Sequence, residues 1–164
     1  MPPAFIMLKK VIRIFFKKNK KLHLRYVLQV AILIEKEGEQ FYVKLAQMSS
    51  NGQVKELCAK LAKDEADHRK LFEAELSQWL HLPASQEHLN SYIQELKNKG
   101  LFLNLIFLQE SVDALVKSAI EYENKTADFY QSLEREFPEL WKQMQIHMLV
   151  VAERSHANSL KSLV

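Results

Sequence analysis

The sequence predicts an all-α chain. Four long helices pack as a bundle, with a long crossover between the second and third, and a short basic helix precedes them. Three observations lead there. Only three Gly and four Pro occur in 164 residues, too few for the many turns of a sandwich or barrel. Apolar residues recur at spacings of three and four along four long segments. A connection of some 27 residues, 84–110, separates the second segment from the third. A structureless loop of that length would be unusual in a compact domain, whereas a crossover lying along a bundle explains it.

Residues 1–22 form the first element. Phe5, Leu8, Ile12 and Phe15 share one helical face, and Lys9, Arg13, Lys17 and Lys20 share another. The arm holds seven Lys/Arg and no acid, which leaves 16 basic and 20 acidic residues, a net −4, for residues 23–164. The basic pI of 8.9 therefore belongs to the arm, and nucleic acid is not an expected partner of the body. An anionic membrane surface is the partner such a helix would suit.

The second segment, about 24–49, carries Leu28, Ala31, Glu35, Gly38, Tyr42 and Leu45 on one stripe, and Ser49-Ser50-Asn51-Gly52 breaks it. The third, about 54–79, carries Val54, Leu57, Leu61, Glu65, His68, Phe72 and Leu76, and Pro83 closes it. In the crossover a short helix is expected near 87–97, ended at Gly100 and followed by the apolar LFLNLIFL. Ser111 is a suitable N-cap for the fourth segment, with Asp113 in its first turn. Val112, Val116, Ala119, Glu123, Thr126, Tyr130, Leu133 and Phe137 form its stripe. Pro138 suits the first turn of the fifth segment, where Ile146, Leu149, Glu153, His156, Leu160 and Leu163 align.

Residues 23–80 and 111–164 are related by a repeat of 88 positions. Glu35 maps to Glu123, Tyr42 to Tyr130, Glu65 to Glu153 and His68 to His156, with no gap. Each half therefore places one Glu on a buried stripe and, 30 residues later, Glu-x-x-His on the next. Unpaired carboxylates do not persist in an apolar core; they take a proton, a cation or a metal. Four Glu outnumber two His even if both imidazoles are charged, and no Lys or Arg shares these stripes. Two divalent ions would balance the charge. Residues at i and i+3 share a helix face, so Glu65 and His68 can reach one centre, and Glu153 and His156 another. Mixed oxygen and nitrogen donors without thiolate suit iron, manganese or zinc.

At these residues the sequence resembles the ferritin-like di-iron carboxylate proteins, in which two helices give a Glu each and two give Glu-x-x-His. The segments AILIEKEGEQFY and LAKDEADHRKLF are most similar to the rubrerythrin family. The resemblance covers about residues 24–164 and implies a ferritin-like four-helix bundle holding two iron ions. It implies Glu35, Glu65, His68, Glu123, Glu153 and His156 as ligands, with Glu65 and Glu153 bridging. It also implies Tyr42 and Tyr130 as hydroxyl donors to ligand carboxylates. Two departures stand out. Rubrerythrins usually add a four-cysteine, rubredoxin-like domain, so here electrons are expected from a separate protein of that kind. They also carry an extra carboxylate three residues beyond the second-half Glu, where this chain has Thr126.

The expected activity is thus reduction of hydrogen peroxide or dioxygen at a di-iron centre. A ferroxidase or iron-binding module, a membrane-associated di-iron hydroxylase and a metal-free structural bundle are the alternatives. A homodimer and a cytoplasmic setting are expected. Cys58 is the only cysteine, which excludes an intrachain disulfide framework and Cys-rich zinc or iron–sulfur sites. No run of 18 apolar residues reads as a membrane span.

Overall fold

A computed structural model describes residues 20–81, 84–103, 111–137 and 139–164, without the side chains of 20–23, 135 and 141. Among these residues the chain is helical, with no strand. Helix α1 spans Lys20–Met48, α2 Gly52–Ser77, α3 Gln86–Asn98, α4 Val112–Leu133 and α5 Leu140–Lys161. The expected arm helix lies outside the described residues up to 19, as do Pro83, Pro138 and positions 104–108 of the apolar stretch. α1 is already helical at Lys20, the first described residue, ahead of the Leu24 that the sequence suggests.

Local chemistry sets the other ends. Asn51 caps α2: its Oδ1 accepts from the backbone N–H of Gln53 at 2.9 Å and of Val54 at 3.4 Å. With only Ser49, Ser50 and Asn51 between them, α1 and α2 must fold back antiparallel. Ser85 and Ser111 cap α3 and α4 in the same way, accepting from the N–H groups of His88 and Ala114. Gly100 ends α3 at φ 72°, a backbone region open to glycine without strain. There Leu101 N–H donates to the Leu96 carbonyl and Gly100 N–H to that of Lys97, the paired bonds of a Schellman end. A 3-10 turn, Glu134–Glu136, follows α4 before the chain reverses into α5.

The long helices form two antiparallel hairpins, α1 with α2 and α4 with α5. An arginine ties each on its outer side: Arg69 to Glu39 at 2.9 Å in the first, Arg154 to Asp128 in the second. These pairs are part-exposed, so they set register more than they add stability. The hairpins meet along their apolar stripes in two clusters. One, at the end where α3 crosses, gathers Leu28, Ile34, Phe72, Tyr92, Leu96, Phe129 and Tyr130. The other, at the opposite end, gathers Phe41, Tyr42, Leu61, Val116 and Leu160. Burying each such side chain contributes roughly 1.5–3 kcal/mol. Between the two clusters lies a layer of charge.

Candidate metal centre

The charged layer comes from the middle of all four long helices. Glu35 stands on α1, Glu65 and His68 on α2, Glu123 on α4, and Glu153 and His156 on α5. The four carboxylates are at most 1% exposed. His156 is buried too, while the His68 side chain keeps 15% exposure. All six residues predicted from the repeat are therefore brought to one place.

Their donor atoms form two overlapping groups. Glu35, Glu65, His68 and Glu153 make one; Glu65, Glu123, Glu153 and His156 make the other. Within each, the ligating atoms lie within 4.8 Å of one another. Glu65 and Glu153 belong to both, and the other four residues divide two to each. His68 Nδ1 is 3.0 Å from Glu153 and 3.4 Å from Glu35. His156 Nδ1 is 3.2 Å from Glu65, 3.3 Å from Glu153 and 3.6 Å from Glu123. The two imidazole rings lie nearly parallel, 17° apart, with centroids separated by 5.8 Å.

Tyrosines brace the layer crosswise. Tyr42 on α1 donates to Glu123 on α4, and Tyr130 on α4 donates to Glu35 on α1. These are matching positions of the repeat, so a pseudo-two-fold axis relates the two bonds. Tyr122 adds a third link across that axis, donating to the carbonyl of its own repeat mate, Ile34, at 2.5 Å. Burial, then the nearby carboxylates, push all three phenols well above the usual tyrosine range, which keeps them as donors.

The proton balance of the cluster is unusual. Burial and the neighbouring carboxylates hold Glu65 and Glu123 well above the ordinary carboxyl range. Burial opposes ionisation of Glu153 as well, but the two imidazoles overcome it and bring its carboxyl down to about 2. For His68 and His156 burial opposes the charge, yet the carboxylates they face raise both to about 10.

Buried donors and acceptors normally find partners. Here Glu35 Oε2, Glu65 Oε1, Glu123 Oε2, both oxygens of Glu153 and the Nδ1 atoms of both histidines make no hydrogen bond of acceptable geometry, although they lie at ion-pair distance. All of them belong to one layer and face the same groups. Oxygen and imidazole donors converging in this way fit a pair of divalent ions of the iron, manganese or zinc type.

A sequence model of the rubrerythrin family matches residues 26–164. The chain belongs to the rubrerythrin family. No curated protein and no solved structure matches it. Membership in the rubrerythrin family makes this a protein of the di-iron carboxylate type, and the cluster supplies buried groups that could hold the metal.

Two contributors escaped the sequence reading. Asp64 Oδ2 lies 3.4 Å from His156 Nε2, on the side of the ring away from the cluster. Its signal was available only as the residue before Glu65, with no hint that it reaches across to α5. Gly38 lies on the α1 stripe, where spacing alone gives it no role. A Cβ there would come within 3.0 Å of Glu65 Oε2, so the glycine makes the room in which that carboxylate sits. Thr126 is 1% exposed, and its hydroxyl makes no hydrogen bond among the described residues. Cys58 is buried, and burial pushes its thiol up to about 11, which removes it as a nucleophile.

Among the described residues no helix is long and apolar enough to cross a membrane.

Proposed function

We propose that this rubrerythrin-family chain is an oxidoreductase that uses two iron ions to reduce hydrogen peroxide or dioxygen. A separate, rubredoxin-like protein would deliver the electrons. The observation that carries the reading is the layer of four buried carboxylates and two imidazoles whose donor atoms fall into two overlapping groups. Glu35 and His68 would hold one ion, Glu123 and His156 the other, and Glu65 and Glu153 both. Manganese and zinc share the donor preference, and the family favours iron. A bound ferrous pair supplies two electrons, which with two protons convert one hydrogen peroxide to two waters.

The chain's own part is positional and electrostatic. The phenols of Tyr42 and Tyr130 fix Glu123 and Glu35, so these carboxylates are oriented before any metal arrives. The apolar clusters on either side keep bulk water away from the layer. Burial and neighbouring carboxylates make Glu65 and Glu123 hold protons more strongly than an ordinary carboxyl, and a bound cation would favour their release.

Thr126 favours a second reading. Where the resemblance implies a further carboxylate, this chain offers only a hydroxyl, so the two donor groups together hold six side chains. That suits a ferroxidase or iron-binding module, in which Fe(II) is consumed rather than recycled.

Metal content tests the proposal. Plasma mass spectrometry of untagged protein, purified without chelator and again after anaerobic Fe(II) loading, should find about two metals per chain. A Glu65→Leu/Glu153→Leu double variant should lose them. Catalytic peroxide consumption by the loaded protein with reduced rubredoxin would support the reductase. Fe(II) oxidation that stops once the added iron is spent would instead mark the ferroxidase. No stoichiometric metal in either preparation would overturn both and leave a structural bundle.

A further inference from the structure

The repeat makes the two halves of the cluster nearly equivalent, and the chain breaks that equivalence at two matched pairs. The first pair is Asp64 and Ala152, which stand 88 positions apart, each directly before its Glu-x-x-His. Asp64 places a carboxylate oxygen 3.4 Å from Nε2 of His156, whose Nδ1 faces the cluster. Ala152 has no polar side-chain atom to offer His68. Among the described residues, no acidic oxygen lies at ion-pair distance from His68 Nε2, although His68 Nδ1 faces Glu35 and Glu153. The exposures follow the same asymmetry: the His68 side chain keeps 15% and that of His156 8%. The second pair is Gly38 and Thr126. Gly38 seats Glu65 with no space to spare, whereas Thr126 carries a buried, unbonded hydroxyl.

A carboxylate behind a metal-binding imidazole fixes the ring and its tautomer and raises the basicity of the ligating nitrogen. Only one of the two histidines here has such a partner. We infer that the two metal positions are inequivalent: the one at Glu123 and His156 fills first and holds its ion more tightly, because Asp64 backs His156. The position at Glu35 and His68 is the exchangeable one. Asp64 is thus a positioning residue acting through His156. The inference rests on the dimetal reading above, and it says which half of that site stays occupied when metal is scarce.

Anaerobic titration of the full-length, metal-free protein with Co(II) tests it, followed by visible absorption and calorimetry. The wild type should take up about two Co(II) per chain in two resolved steps. Asp64→Asn should weaken the tighter step by roughly 10–100-fold and leave the weaker one in place. Ala152→Asp, which supplies the missing carboxylate behind His68, should strengthen the weaker step and draw the two together. Two indistinguishable steps in the wild type, or an Asp64→Asn variant that shifts neither step or both alike, would overturn the inference while leaving the dimetal site standing. Absence of Co(II) uptake by the wild type would overturn the dimetal reading itself, and this inference with it. The metal-free thermal midpoint of each variant should stay near that of the wild type, since Asp64 is part-exposed and Asn preserves its shape.

Discussion

Gly38 shows how a single position can matter for the site without touching metal. Its virtual Cβ would meet Glu65 Oε2 at 3.0 Å and Cγ and Cδ at 3.2 Å. All three atoms belong to one side chain, and that side chain is shared by both donor groups. Substituting Ala would have two opposed effects. Alanine favours a helix interior over glycine by about 1 kcal/mol. The added methyl would also push the Glu65 carboxylate out of its seat, by a few tenths of an ångström at least. The effects separate in experiment because they act on different quantities. Gly38→Ala should leave the metal-free thermal midpoint unchanged or raise it by about 2–4 °C. Its Co(II) affinity should fall about tenfold or more, the size of loss typical when a ligand's supporting contacts change. Unchanged affinity in a titration of the variant would show that the close approach does not position Glu65.

The helices were legible in the sequence because stripe, cap and stop agree. Leu28, Glu35, Tyr42 and Leu45 lie on the buried face of α1 as their spacing required, and Ser111 and Gly100 cap and end helices where their chemistry suited. The six charged residues were legible for a related reason: a carboxylate on an apolar stripe has no cheap explanation, and the repeat offered the same anomaly twice. What could not be read were contacts between hairpins. Tyr42 meets Glu123 and Tyr130 meets Glu35 across 81 and 95 residues, and Asp64 meets His156 across a helix pair, so their partners depend on how the hairpins dock. The outer face of α5 is another such feature. Leu140, Met144, Met148 and Val151 are all more than half exposed along one side of it. Gln145, His147, Ser155 and Asn158 are exposed with them, and Lys161 in the last turn is the one exposed Lys, Arg, Asp or Glu among the described residues of α5. By contrast, α2 exposes Lys55, Glu56, Lys60, Lys63, Asp67 and Lys70. An apolar face with its one charge confined to the last turn suits a copy of itself across a two-fold axis. We expect a homodimer in light scattering, and Met148→Glu should shift it to monomer, because the substitution would bury a charge in the interface. A wild-type monomer would remove α5 as the contact.

For the molecule as a whole, metal, protons and stability are linked through the central layer. His68 and His156, both raised to about 10 by the carboxylates they face, carry protons at neutral pH when no metal is present. Glu65 and Glu123, held up by burial and by neighbouring carboxylates, keep their protons to higher pH than an ordinary carboxyl. Groups raised by folding stabilise the fold at low pH and lose that contribution as pH rises. For the histidines the contribution is complete below about 6.5 and fades towards about 10. For the two glutamates it begins to fade above their ordinary value of 4.5. Glu153, brought down to about 2, works in the opposite sense: its contribution is present above 4.5 and disappears only as pH falls through about 2. Between neutrality and pH 10 the metal-free protein should therefore lose stability steadily. Metal must displace these same protons to bind, so its apparent affinity should increase over the same range. The two trends add. The gap in thermal midpoint between Co(II)-loaded and metal-free protein should widen from pH 6 to pH 9, and calorimetry in buffers of different ionisation enthalpy should register protons released with each metal. A gap that stays constant with pH, with no protons released, would mean that cations enter a cluster already ionised, contrary to the charge balance of this layer.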